Sequence, residues 1–397
     1  MIRTVSFRNF KAYRSLDMEL EPLTVLVGPN ASGKTTLLEG MELVSQVGTS
    51  AIGERIAEFV NWKHAGIQSY GVDDRPALGI SGIWSGTTGT MRIISGEGAN
   101  KRLAPARVPA FKVKKGEGFS ISGEWAGKAF PNQQDNGGKD GGVLGSVLES
   151  FRAALRSTTV LSLEPHQLAG ASYSEDALPS IQSDGSGLAS VLAHLKLSQD
   201  EIFEGIEQAL REIVPAVRRI RIERAQVEQT AIRTISVDDQ RHELPETRTI
   251  WGNKVVMDMK GARGVPADAV GEGTIMALGL LTVLMGPLKP RLVLLDDVEL
   301  SLHPAAQAKL VGVLRAIQKQ DPELQIIATS HSPFILNYLA PQEVRMTFLG
   351  DDGFARCEKL TAHPEFEQWK ELMRPGEFWS TVGERWITES GTPVTHE

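Results

Sequence analysis

The stretch GPNASGKTT, Gly28 to Thr36, constrains this chain more than any other. It satisfies the G-x-x-x-x-G-K-[ST] pattern, in which a glycine-rich loop aims backbone N–H groups and a helix N-terminus at phosphate oxygens. The flanking residues agree. LTVLV (23–27) is a short β-rich run, and TTLLEGMELV (35–44) sets Leu37, Leu38, Met41 and Val44 on one helical face. Strand, loop and helix in that order predict an α/β nucleotide fold. Gly28 and Gly33 allow the unusual dihedrals and close approach that such a loop requires. Pro29, Asn30, Ala31, Ser32 and Thr36 complete the wrap around the phosphates. Lys34 is placed to reach the β- and γ-phosphates of ATP, and the Thr35 hydroxyl to ligate Mg²⁺. A chance match in a glycine-rich chain is the alternative, and the flanking strand and helix argue against it.

A second stretch, LVLLDDVELSLHP (292–304), runs an apolar strand straight into the acids Asp296 and Asp297, with Glu299 two positions on. Open α/β sheets place their ligands at the carboxyl edge of parallel strands, so Asp296 is expected to orient the Mg²⁺ held by Thr35. A helix opening at His303-Pro304 follows, with Leu310, Val311, Leu314 and Ile317 on one face. Asp321-Pro322 stops it, and LQIIAT (324–329) returns as a parallel strand. That strand leads into SHSPF and brings His331 to the same edge, where a sensor of the γ-phosphate would stand. Asp297 is the expected general base. Glu299 has the longer reach and is the other candidate, and the plainer alternative for Asp297 is that it helps hold Mg²⁺ or caps the following turn.

Composition narrows the setting. The net charge of −7 argues against broad nucleic-acid binding, and one cysteine, Cys357, excludes an internal disulfide and a cysteine-based zinc site, which suits a reducing cytoplasm. The N-terminus lacks the apolar core of a signal peptide. TIMALGLLTVLM (274–285) is shorter than the ~20 residues of a membrane span and reads as a helix buried on all sides. Between residues 78 and 126, short β-rich runs alternate with glycine-rich turns, 131–142 is loop-like, and helical pattern returns at 143–155 and 186–213. No sustained heptads appear, so a long coiled coil is excluded. Lys101, Arg102, Arg107, Lys112, Lys114 and Lys115 fall in a stretch without acids, and RRIRIER (218–224) places Arg219 and Arg221 on one strand face opposite Ile220 and Ile222. Solvated strand faces explain both stretches as well as DNA contact does. The C-terminal aromatics Trp369, Phe378, Trp379 and Trp386 fit a small packed subdomain, with partner docking as the sharper alternative.

GPNASGKTT, GEGT (271–274), LVLLDDVELSLHP and IIATSHSP occur in the order used by ABC-type ATPases of the SMC/RecF/OLD group, and the chain resembles them. FRNFKAYRSLDMELEPLTVLVGPNASGKTTLLEG is similar to the opening of the OLD-like bacterial "predicted AAA/ABC ATPase" family, and DGSGLASVLAHL and EQALREIVPAVRRIRIE to its middle segment. The resemblance implies a two-lobed α/β head of the P-loop type. ATP is held between the phosphate loop of one subunit and the signature of another, here Gly271, Glu272 and Gly273. It implies a homodimer or higher homo-oligomer gated by ATP, and a bacterial anti-phage or anti-plasmid setting with a separate effector protein. No Toprim nuclease domain is expected within the chain. An ATP-binding switch that grips a partner, and a RecF-like repair factor, are the other readings. Three departures stand out: Gly271 where the family offers a Ser, Asp297 where it offers a Glu, and Val298 where it offers a Pro. The glutamine that usually completes the Mg²⁺ shell stays open among Gln68, Gln133, Gln134 and Gln167. Expected segments are the phosphate-loop part of the core (1–60), a β-rich then helical insertion (61–244), the core with signature, acids and switch histidine (245–350), and an aromatic C-terminal subdomain (351–397).

Overall fold

A computed structural model describes residues 1–49, 69, 76–84, 87–94, 107–115, 119–126, 155, 157–237 and 240–383. Two compact units divide them: Met1–Val160 with Pro290–Glu299 and Gln318–Glu397, and Leu161–Lys289 with Leu300–Ile317.

The first unit contains two sheets of different character. β1 (Ile2–Phe10) and β2 (Tyr13–Glu19) form an antiparallel hairpin. β4 (Ala77–Trp84), β5 (Thr87–Ile94), β6 (Arg107–Lys115) and β7 (Phe119–Ala126) extend it in the order β2-β1-β4-β5-β6-β7. These are the short strands expected between residues 78 and 126. β3 (Leu23–Val27) is buried at every position, as a strand covered on both faces must be. It sits inside the second sheet, ordered β15-β14-β3-β13-β12-β8. There β8 (Thr158–Leu161), β12 (Leu292–Leu295), β13 (Gln325–Ser330), β14 (Val344–Leu349) and β15 (Ala355–Lys359) complete it. β12, β13, β3 and β14 run parallel, and β15 turns back antiparallel.

Helix α1 (Lys34–Thr49) joins the two sheets in one core. Leu37, Leu38, Met41 and Val44 pack with Phe7, Phe10 and Tyr13 from one sheet and with Leu26, Leu294 and Ile327 from the other. Burying each such side chain stabilises by roughly 1.5–3 kcal/mol. Gly40 makes the approach possible, since a Cβ there would stand 2.4 Å from Phe7 Cζ. Cys357 lies in this core, 3.6 Å from Met18 Sδ, and burial pushes its thiol up to about 12. Arg345 is buried too, and its guanidinium donates to the carbonyls of Glu19 and Gln342, fastening β14 to the end of β2.

In the second unit lie α2 (Pro165–Ala169), α3 (Leu188–Ser198), α4 (Asp200–Ile213) and α5 (Glu272–Met285). The helical stretch expected at 186–213 is two helices parted at Gln199. α5 is buried along most of its length, as its all-round apolar sequence requires. A hairpin of β9 (Val217–Val237) and β10 (Gln240–Met259), with β11 (Ala262–Pro266) beside it, fills the place where heptads were absent. Its length was not anticipated, because only RRIRIER alternates clearly. Ile220 is buried, whereas Arg221 pairs with Asp258 at 2.9 Å and Arg224 lies 6.0 Å from the Trp251 ring. Both contacts lie within the hairpin itself, and Arg219 is exposed. Arg107, Lys112, Lys114 and Lys115 are on β6, and Lys101 and Arg102 lie outside the described residues. So do most of 143–155, all of 131–142, and Trp386.

The long helix after the acids is α6 (Pro304–Gln320), starting and stopping where the prolines predict. Short helices α7 (Pro333–Leu336), α8 (Phe366–Trp369) and α9 (Pro375–Val382) belong to the first unit. Phe366 and Phe378 are buried there and meet edge to face at 5.8 Å, while Trp369 and Trp379 are half-buried. Among the described residues no helix is long and apolar enough to cross a membrane.

Candidate functional site

The phosphate loop leaves β3 with a backbone that few residues tolerate. Gly28 has φ +151°, Ala31 +61° and Gly33 +96°. A Cβ on Gly28 would stand 2.2 Å from the Thr347 carbonyl oxygen, and one on Gly33 would stand 2.7 Å from Ala355 Cβ and 3.0 Å from the Tyr13 ring. The loop therefore lies flat on β14 and β15. Ser32 Oγ and Thr347 Oγ1 share a hydrogen bond of 2.5 Å, and the Thr347 hydroxyl also donates to Val27 at 3.0 Å. Lys34 is buried and donates to the carbonyls of Gly28 and Pro29, both at 2.8 Å. Thr35 is exposed in the first turn of α1.

The acids arrive beside this loop along β12, whose neighbour β13 pairs with β3. Thr329, near the end of β13, staples them. Its hydroxyl donates to Asp296 Oδ1 at 2.5 Å and accepts the Asp297 N–H at 2.9 Å, while its carbonyl accepts the Val298 N–H. Asp297 takes a left-handed backbone, φ +53°, a conformation that Asp tolerates better than most residues. Its carboxylate is more than half exposed and lies 3.8 Å from His331 Nε2. Its pKa is raised, first by burial and then by Glu299 and Asp296, with His331 and Lys34 pulling the other way. Glu299 Oε1 accepts the His331 N–H at 2.8 Å, and its Oε2 is buried with no hydrogen-bond partner. Lys34, Asp296, Asp297, Glu299 and His331 thus all belong to the first unit and meet around one sheet edge.

The residues fit a nucleotide with Mg²⁺. The loop is a cradle that a Cβ would fill, and Thr35 and Asp296 supply two hard oxygen donors of the kind Mg²⁺ takes alongside phosphate oxygens and water. Among the described residues no group of three or more His, Cys, Asp or Glu is arranged to hold a metal alone. Of the candidate glutamines, Gln167 lies in α2 of the second unit, and Gln68, Gln133 and Gln134 fall outside the described residues.

Gly271, Glu272 and Gly273 open α5 in the second unit. Gly271 is the N-cap, and no side chain caps the helix. A Cβ on Gly273 would meet Leu302 Cδ2 and the Ser301 carbonyl at 2.9 Å, whereas one on Gly271 would meet nothing within 4 Å. Beside this turn is a groove of about 550 Å³ lined by Ile213, Pro215, Glu272, Leu302, His303 and Lys309. Thr329 and Thr347 escaped the sequence reading. Each is a threonine within an apolar strand, which is the only signal either gives.

Comparisons with known proteins agree with this geometry. Residues 1–68 match the family described as "AAA ATPase domain", and residues 171–337 that described as "AAA domain, putative AbiEii toxin, Type IV TA system". The chain is 43% identical over 44 residues to the OLD nuclease of Thermus scotoductus, covering 11% of this chain and 8% of that protein. It is 55% identical over 38 residues to the DNA replication and repair protein RecF of Roseiflexus castenholzii, 9% of this chain and 10% of the relative. Against the Septu protein PtuA of Bacillus thuringiensis it is 38% identical over 69 residues, 17% of each. The chain therefore matches well under two thirds of the length of each curated relative. The solved structure of an SMC head bound to the C-winged helix domain of ScpA shares the fold, with a TM-score of 0.54 over 92% of this chain and 99% of that one, at 11% identity. Fold and site define a P-loop nucleotide-binding protein. Two ATPase-domain models thus match separate parts of the chain, which is similar to ABC-type ATPases of the SMC/RecF/OLD group.

Proposed function

We propose that the protein is a Mg²⁺-dependent ATP hydrolase that closes on ATP as a homodimer and works with a separate effector in bacterial defence. The observation that carries the chemistry is the meeting of Lys34, Asp296, Asp297 and His331 at one sheet edge. Lys34 and the loop N–H groups hold the β- and γ-phosphates, and Thr35 and Asp296 hold the metal. Bound Mg²⁺ supplies positive charge to the phosphate oxygens. Asp297 accepts a proton from the attacking water, and His331 senses the γ-phosphate. The N–H groups at the start of α5 address the nucleotide of a second copy, in place of the serine hydroxyl that Gly271 lacks. Support for the defence setting comes from the toxin–antitoxin description of the matched family and from the likeness to OLD and Septu proteins.

An acid one methylene shorter than Glu reaches less far toward the attacking water and favours slow turnover, which lends weight to a switch that binds ATP and grips a partner. One variant separates the two readings. Asp297→Asn keeps the backbone preference and removes the charge. It is expected to lower turnover by about 10²–10⁴-fold, to keep ATP affinity, and to trap the dimer in Mg-ATP by light scattering. Asp296→Asn instead weakens Mg²⁺-dependent binding. An unchanged mass with and without Mg-ATP in the Asp297→Asn variant sinks the gated dimer. Tight binding without any turnover by the unaltered protein selects the switch.

A further inference from the structure

His331 stands at the start of a segment that the C-terminal subdomain grips. Ser332 follows it as the N-cap of α7 (Pro333–Leu336), and Asn337 ends that helix. Both ends of α7 are occupied by one residue of α9, Gly376. Its N–H donates to Asn337 Oδ1 at 2.9 Å, so Asn337 serves as a tertiary cap for α9. On the other side, a Cβ on Gly376 would stand 1.8 Å from the Pro333 carbonyl oxygen and 2.8 Å from Asn337 Oδ1. Only a glycine allows this approach. α9 is itself well anchored: Phe378 is buried against Phe366 and meets His363 edge to face at 5.0 Å, and Glu377 accepts the Arg374 N–H at 3.0 Å. Glu299 in turn accepts the His331 N–H at 2.8 Å. The backbone at His331 is thus tied to the acid loop directly and to the C-terminal helix through α7.

We propose that α9 is a positioning element of the ATPase, and that Gly376 and Asn337 set the place of His331 through α7. This rests on the proposed role of His331. The C-terminal helix thereby influences turnover without touching the nucleotide.

The test compares His331→Ala, Gly376→Ala, Asn337→Ala and Asn337→Asp in the full chain, reading kcat, KM and the affinity for a fluorescent ATP analogue. A new methyl at Gly376 displaces α7 by on the order of 1 Å, and such misplacement near a reacting group lowers kcat by roughly ten- to a hundredfold. Gly376→Ala and Asn337→Ala are expected to lose that much kcat while KM and analogue affinity stay within about twofold. Asn337→Asp, which keeps the acceptor oxygen, recovers most of the activity. In a His331→Ala background, Gly376→Ala is expected to lower kcat no further, because both act through one side chain. An additive loss in the double variant, or a folded Gly376→Ala protein with unchanged kcat, overturns the proposal while His331 keeps its role. Unchanged kcat in His331→Ala removes the role of His331 and the proposal with it. Should Gly376→Ala fail to fold, the Asn337 pair and its combination with His331→Ala decide by the same criteria.

Discussion

In the phosphate loop a side chain at Gly28 is excluded twice, by a φ of +151° and by a carbonyl oxygen 2.2 Å from where its Cβ would stand. In the turn that opens α5, Gly271 has φ −56° and nothing within 4 Å of the same position, although its neighbour Gly273 is crowded by Leu302 and Ser301. Both turns present backbone N–H groups suited to phosphate. The first is built so that no other residue serves at Gly28. In the second, the local fold demands glycine at one position and leaves the other open. Where the family resemblance expects a serine and this chain has Gly271, packing does not impose the difference.

Three substitutions probe that contrast. The largest effect is expected from Gly28→Ala, where strain and overpacking together lower stability by roughly 2–5 kcal/mol and ATP binding is lost. Chemical denaturation and titration with a fluorescent nucleotide read both, and a Gly28→Ala protein of normal stability that still binds ATP breaks the first half of the comparison. Gly273→Ala ranks next. Alanine in a first helical turn would ordinarily gain up to about 1 kcal/mol over glycine, but here the contacts with Leu302 and Ser301 reverse the sign to a loss of roughly 1–2 kcal/mol. Nucleotide still binds the loop of each subunit, and the Mg-ATP-dependent dimer disappears in light scattering; a dimer that persists removes the role proposed for this turn. Gly271→Ser is the mildest. A serine N-cap improves on glycine by a few tenths of a kcal/mol, so thermal unfolding is expected to rise slightly. If turnover climbs severalfold as well, the absent hydroxyl is what limits hydrolysis; a clear loss of stability contradicts the open space at this position.

The parts of the site that were legible in sequence are those made by consecutive residues. Gly28, Gly33, Lys34 and Thr35 announce a loop because their spacing alone defines it, and Leu292–Leu295 running into Asp296 announces a strand end. What stayed hidden is made across strands. Thr347, which the loop lies on, is 315 residues from Ser32, its hydrogen-bond partner, and Thr329 meets Asp296 from 33 residues away. Gly376 looks like an ordinary Pro-Gly turn until Pro333 is seen against it. Glu299 was read as a competitor for the base, and only the folded chain brings the His331 N–H to its Oε1. The long hairpin was missed for a different reason. Beyond RRIRIER its strands carry too little alternation of apolar and polar residues to signal a buried face, and pairing between β9 and β10 holds the register instead.

Cys357 carries a practical consequence. It is the single thiol in the sequence, buried beside Met18, and at neutral pH almost wholly protonated. A thiol in that condition is silent toward maleimides and nitroxide reagents. Cysteines introduced at exposed positions, such as Leu197 in the second unit and Leu372 in the first, would take up dyes or spin labels against no native background. The molecule can thus be fitted with a pair of reporters, one on each unit, and watched through a cycle of nucleotide binding without first deleting anything of its own.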